Sequence, residues 1–165
     1  MTHSRTIRFF LFAVALGGFL PAERMLAGDP PKGSEVHFHA QLVWGTNDDP
    51  AKHPKFREVD SASRKILDPF KWKHFLVTEN KNFSLNPGEQ KKVKMSDKCT
   101  IIAKHKGKAA KGKGEVISVT LLGDGKPIGK HTKSIVEKHT IALCGSLKNG
   151  TAWAVLLKRV PEKQK

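Results

Sequence analysis

The strongest constraint on this sequence is the period of its hydrophobic pattern, which is two along most of the chain after residue 35. In residues 36–44 every second position is apolar: Val36, Phe38, Ala40, Leu42 and Trp44. Successive side chains of a β-strand point to opposite sides, so this period predicts a strand with one buried face. Similar segments recur about every ten residues with turn formers between them, which is typical of sandwiches and barrels.

Turn-forming residues between these segments predict how the strands are connected. Pro87-Gly88 is predicted to join residues 82–85 and 90–95 as a hairpin, and further hairpins are predicted at Gly123-Asp124-Gly125-Lys126 and Asn149-Gly150. One helix is predicted over residues 61–67, with an aspartate N-cap before it and a proline after it. The predicted fold is mainly β, an antiparallel β-sandwich or small barrel of about eight strands with one short helix.

The N-terminus has the composition of an export signal. Basic residues precede the apolar run at residues 9–20, and small residues follow near position 27. That run is shorter than the roughly 20 residues that span a bilayer, so a cleaved signal peptide over residues 1–27 is predicted. An uncleaved anchor is the alternative, since the cleavage site fits the small-x-small pattern only in part. The remaining chain is divided into a linker (28–34), a single β domain (35–160) and a charged tail (161–165).

The chain is strongly basic, with 30 Lys and Arg against 15 Asp and Glu and a net charge of +15. Lysines are concentrated between residues 90 and 113, where a polyanion-binding surface is predicted. Its candidate residues are Lys91, Lys92, Lys94, Lys104, Lys106, Lys108, Lys111 and Lys113. Lysine lacks the planar fork of arginine, so diffuse attraction is expected rather than bidentate readout. A solvated face that only confers solubility is the alternative.

The two cysteines, Cys99 and Cys144, each lie in a predicted strand. In an exported protein an even number of cysteines predicts a disulfide between them. The alternative is two buried free thiols.

A metal site is the sharpest chemical hypothesis that the sequence offers. His37 and His39 are two apart in a strand and point from one face, and His53 in the next loop could complete a three-histidine set. The alternative is a solvated strand face. Asn47, Asp48 and Asp49 lack the remaining ligands of a calcium loop and predict a turn.

Catalytic motifs are missing from the sequence. Ser61 and Ser63 with His53, His74 and Asp60 have no nucleophile elbow around them, so no enzyme activity and no cofactor are predicted. Residues 42–46 (LVWGT), 71–75 (KWKHF) and 96–99 (SDKC) resemble small exported proteins of unassigned function, a resemblance that implies no activity and no site residue. The sequence therefore predicts a non-enzymatic binding or assembly module, periplasmic or extracellular, without stable membrane insertion after signal cleavage. Its predicted partner is an envelope protein or an anionic polymer: an acidic polysaccharide, a membrane surface or a nucleic acid.

Overall fold

The computed structural model describes residues 34–110, 114–146 and 152–161. The predicted signal peptide, the Asn149-Gly150 turn, and all but one residue each of the linker and tail lie outside these residues. Within them the chain forms nine strands in two antiparallel sheets, which confirms the sandwich prediction; the strands do not close into one barrel. No helix of this part of the chain is long and apolar enough to cross a membrane.

The elements are β1 (Val36–Thr46), β2 (Arg57–Glu58), α1 (Ser61–Leu67), β3 (His74–Leu85), β4 (Gln90–Lys94), β5 (Cys99–Lys108), β6 (Glu115–Gly123), β7 (Lys126–Ile135), β8 (Thr140–Ser146) and β9 (Ala152–Val160). The five-stranded sheet has the order β2-β3-β1-β9-β8, and the four-stranded sheet has the order β4-β5-β6-β7. The helix α1 and a 3-10 turn (Pro50–Lys52) lie between β1 and β3 in the chain.

The main hydrophobic core lies between the two sheets. Every second residue of β1, from Val36 to Leu42, points into it, as the alternation predicts. The opposing sheet contributes alternate residues of β5 and β6 in the same way, among them Ile101 and Val119, which are almost fully buried. One face of each sheet is therefore buried against the other.

A second, smaller core covers the outer face of the five-stranded sheet. Leu67 of α1 packs there against Phe75 and Leu156, with Trp72 at its margin. The helix has the predicted bounds, because the Asp60 carboxylate accepts a hydrogen bond from the backbone N–H of Ser63 at 2.7 Å. The helix therefore belongs to the side of the sheet that faces away from the sandwich.

Two of the three predicted hairpin turns lie within the described residues and can be compared with the structure. The β6–β7 hairpin is confirmed, and Asp124 and Gly125 both have the positive φ that its tight turn requires (48° and 76°). The hairpin across Pro87-Gly88 is wrong, because β3 and β4 lie in different sheets. The Gly88 N–H donates to the carbonyl of His105 on β5, so this turn carries the chain from one sheet to the other. The strands flanking the third turn, β8 and β9, pair antiparallel.

Candidate binding cleft and lysine stripe

An open cleft of about 610 Å³ separates the two sheets at the end where β1 finishes and β9 begins. The five-stranded sheet supplies one apolar wall, formed mainly by Leu42, Trp44, Leu143 and Trp153. The facing wall comes from the four-stranded sheet, chiefly Leu121 and Gly129. A cleft of this size with mostly apolar walls has the dimensions of a small-molecule site.

Two tryptophans and a glycine lie in one row on the wall of this cleft, which we call the indole shelf. Trp44 and Trp153 are register partners on β1 and β9, and Gly145 of β8 is the next partner along the row. A Cβ atom at Gly145 would lie 2.6 Å from Cζ2 of Trp153, so the absence of a side chain lets the indole lie against the strand. The two indoles are only partly buried, which leaves aromatic surface facing the cleft.

The opposite wall is open because of a second glycine. A Cβ atom at Gly129 would meet no atom within 4 Å. Its neighbour Ile128 is 53% exposed at the rim, an unusual position for a large aliphatic side chain. The polar groups that also line the cleft include Ser96, Lys98, Asp124 and His131. The site therefore combines an apolar interior with a mixed polar rim, as small-molecule sites commonly do.

The predicted disulfide is wrong, because Cys99 and Cys144 are both free thiols. Cys99 is buried in the core between the sheets. Cys144 follows the inward-pointing Leu143 on β8 and pairs with Ala154 of the outer cluster, so it points to the other face of its sheet. Thiols on opposite sides of a sheet cannot approach to the bonding distance of about 2 Å. Desolvation raises the pKa of both thiols, that of the buried Cys99 to about 11, while Cys144 keeps an exposed surface.

The structure does not bring the three candidate metal-binding histidines together. His39 Nδ1 lies 2.7 Å from Oδ1 of Asn82 on the neighbouring strand, on the same outer face as His37. His53 packs edge-on against the Trp44 ring, with 4.8 Å between ring centroids. Trp44 is seven positions beyond His37 on β1, about 23 Å along the strand. Among the described residues no three His, Cys, Asp or Glu side chains are grouped so as to hold a metal ion.

The residues considered for calcium binding or hydrolysis make structural contacts instead. Asn47 Oδ1 accepts from the Lys73 N–H, and Asp49 Oδ1 accepts from the Ala51 N–H, as in a turn. Asp60 caps the helix. His74 Nδ1 lies 2.7 Å from Oε1 of Glu58. In the described ranges no hydrogen bond joins Ser61 or Ser63 to a histidine.

Four of the candidate lysines form a stripe along the outer face of the four-stranded sheet. On β4, Lys94 and Lys92 are the register partners of outward-facing Thr100 and Ile102. Lys104 and Lys106 continue the same alternation on β5, and all four side chains are exposed. We call Lys94, Lys92, Lys104 and Lys106 the lysine stripe.

The other candidate lysines lie apart from this line. Lys91 pairs with inward-facing Ala103 and is exposed at the sheet edge. Lys108 follows a bulge that begins after His105 and opposes Glu115. Lys111 and Lys113 are outside the described residues.

Trp44 is on the strand face that the alternation of β1 predicts to be buried, and Gly129, Gly145 and Ile128 were not singled out. On β8 the alternation of Ile141 and Leu143 puts Gly145 at an inward position where an apolar side chain is expected. On β7 the inward row also contains His131 and Lys133, so nothing in the pattern marks Gly129. No protein-family model, curated protein or solved structure matches this chain.

Proposed function

We propose that this chain is an exported, non-enzymatic binding module whose ligand site is the cleft between the sheets. The observation that carries the proposal is the 610 Å³ opening with two partly exposed indoles on its inner wall. A sandwich without a ligand gains stability by closing its sheets over such surface, because exposed aromatic area is costly in water. Gly129 leaves open space at one wall, and Gly145 lets the Trp153 indole lie against β8 at the other.

The chemistry of the walls favours a ligand with a rigid apolar body. Aromatic side chains bind flat apolar groups by offset stacking as well as by burial. A ligand that loses about 300 Å² of apolar surface gains roughly 7 kcal/mol at 25 cal/mol per Å². Association entropy and ordering costs reduce this figure, so dissociation constants weaker than about 10 μM are expected.

Titration with N-phenyl-1-naphthylamine, a neutral apolar fluorophore, tests the proposal without interference from the lysine charges. Binding should be saturable and should increase the fluorescence of the probe. Gly129→Phe is the blocking variant, because the open space at Gly129 accepts a new side chain that points into the cleft.

Lys130→Phe is the matched control. Lys130 is adjacent on β7 and exposed, and its register partner Thr120 faces outward, so the new ring points away from the cleft. Gly129→Phe should weaken probe binding about tenfold or more, and Lys130→Phe should leave it unchanged. Equal binding by the two variants would rule out the cleft as the site.

A further inference from the structure

The lysine stripe has the geometry of a line rather than of a patch. Its four side chains occupy successive outward positions, each two residues from the last, with one step from β4 to β5 where Gln90 pairs with Lys104. Three steps of two residues at about 3.4 Å per residue give a length of about 20 Å. The neighbouring outward positions on β6, Ser118 and Thr120, are uncharged.

The charges of the stripe are largely free to meet a partner. Asp97 lies 2.7 Å from Lys94 Nζ, and both groups are well exposed. Within the described ranges no carboxylate lies within 4 Å of Lys92, Lys104 or Lys106 Nζ. Exposed pairs such as Lys94–Asp97 contribute little, so a polyanion can displace the single carboxylate at low cost.

The residues around the lysine stripe indicate which class of polyanion it suits. Single-stranded nucleic acid requires aromatic platforms, and all three tryptophans belong to the five-stranded sheet or its outer cover. A bilayer would contact the full width of the sheet, yet the outward positions of β6 carry only hydroxyl or apolar side chains (Val116, Ser118, Thr120 and Leu122), and Lys130 is the one lysine at an outward position of β7. Ammonium groups act as point charges and suit the separate carboxylate or sulfate groups of a linear polymer.

We infer that the lysine stripe is a binding surface for a linear acidic polysaccharide, separate from the cleft between the sheets. The polymer runs along the strands of the four-stranded sheet from Lys94 towards Lys106. Affinity comes from the summed charge contacts and falls steeply with salt.

The test uses heparin as the sulfated polysaccharide and neutral dextran as the uncharged reference, with the full chain over a salt gradient. The stripe variant is Lys92→Gln, Lys94→Gln, Lys104→Gln and Lys106→Gln. The control variant removes the same charge from exposed positions outside the four-stranded sheet: Lys55→Gln, Lys65→Gln, Lys71→Gln and Lys73→Gln. A third variant with arginine at the four stripe positions preserves the charge.

The stripe variant should bind heparin about tenfold or more weakly, and the salt slope should fall by about one for each lysine in contact. The control, arginine and Gly129→Phe variants should bind normally. Equal losses in the stripe and control variants would overturn the inference, since net charge alone would then explain the binding. Stripe-dependent binding that is tighter to duplex DNA or to phosphatidylglycerol vesicles than to heparin would overturn the polysaccharide assignment.

Discussion

His105 and Glu115 form a hydrogen-bonded pair inside the hydrophobic core. Nε2 of His105 lies 2.9 Å from Oε2 of Glu115, and the two side chains are 0% and 5% exposed. They lie on the adjacent strands β5 and β6, where Ile117 is the register partner of His105 and the next inward pair is Ala103 and Val119. Nδ1 of His105 has no hydrogen-bond partner among the described residues. The His105 side chain therefore depends on Glu115 for its polar contact, whereas Glu115 also accepts a longer hydrogen bond of 3.5 Å from Ser34 Oγ.

Removing one member of the pair should destabilise the fold. Glu115→Ala leaves the buried imidazole without its partner and should lower the free energy of unfolding by about 3 kcal/mol. Glu137→Ala, at an exposed position, should change it by less than about 0.5 kcal/mol. Urea denaturation followed by circular dichroism measures both.

The double variant His105→Leu/Glu115→Leu separates the loss of the pair from the loss of one partner. Replacing both side chains with leucine leaves no buried imidazole nitrogen without a partner. The double variant should therefore regain most of the stability lost in Glu115→Ala. A double variant less stable than the single one would show that the pair itself is a net source of stability.

Both thiols should remain free in protein purified from an oxidising compartment without reductant. Ellman's reagent should react with exposed Cys144 in the folded protein and with Cys99 only after unfolding. Burial raises the pKa of Cys99 to about 11, which leaves little of the reactive thiolate at neutral pH. Finding no free thiol in denaturant would mean that the cysteines are paired after all.

The cap of α1 should make a pH-dependent contribution to stability. The hydrogen bond from the Ser63 N–H lowers the pKa of Asp60 below its ordinary value of 3.8. A carboxyl whose pKa is lower in the folded state stabilises the fold above the unfolded pKa, and this contribution is lost as the pH falls below about 4. Asp60→Ala should cost about 1 kcal/mol at pH 7 and less at pH 2.

Asp60→Asn is the matched control, because asparagine accepts the same hydrogen bond without titrating. Its stability at pH 7 should be close to that of the wild type. If Asp60→Ala costs as much at pH 2 as at pH 7, ionisation of the cap does not contribute.

The glycine beneath the indole shelf should not tolerate a methyl group. At Gly145 a Cβ atom would lie 2.6 Å from Cζ2 and 2.9 Å from Cε2 of Trp153, so the ring must move. Gly145→Ala should lower the free energy of unfolding by about 1–3 kcal/mol and shift the tryptophan fluorescence. Gly129→Ala, which meets no neighbour, should be neutral or slightly stabilising. Similar melting temperatures for the two variants would contradict this account of the shelf.

Local signals in the sequence predicted those elements that depend on near neighbours. The Asp60 cap defines the helix, and Asp124-Gly125 defines the β6–β7 hairpin, because both need only residues within one turn. The turn at Pro87-Gly88 has the same local chemistry as a hairpin. Whether it joins neighbours in one sheet or crosses between two sheets depends on long-range packing.

Counting every second residue along a strand predicts the inward positions of several residues that the sequence analysis did not single out. Counting in twos from Ile101 puts His105 at an inward position, and counting back from Ile117 does the same for Glu115. The alternation along β8 predicts which face of that strand Cys144 is on. Only the sheet topology shows that Cys99 lies on the other side of the five-stranded sheet.

The most direct test of ligand binding in the cleft is the response of the three indole N–H resonances in ¹⁵N-labelled protein titrated with N-phenyl-1-naphthylamine. Trp44 and Trp153 line the cleft, whereas Trp72 lies on the outer face of the same sheet and serves as an internal control. The proposed site predicts saturable shifts of the Trp44 and Trp153 signals, little change at Trp72, and loss of the shifts in Gly129→Phe. A shift confined to Trp72, or equal shifts in the wild type and Gly129→Phe, would contradict it.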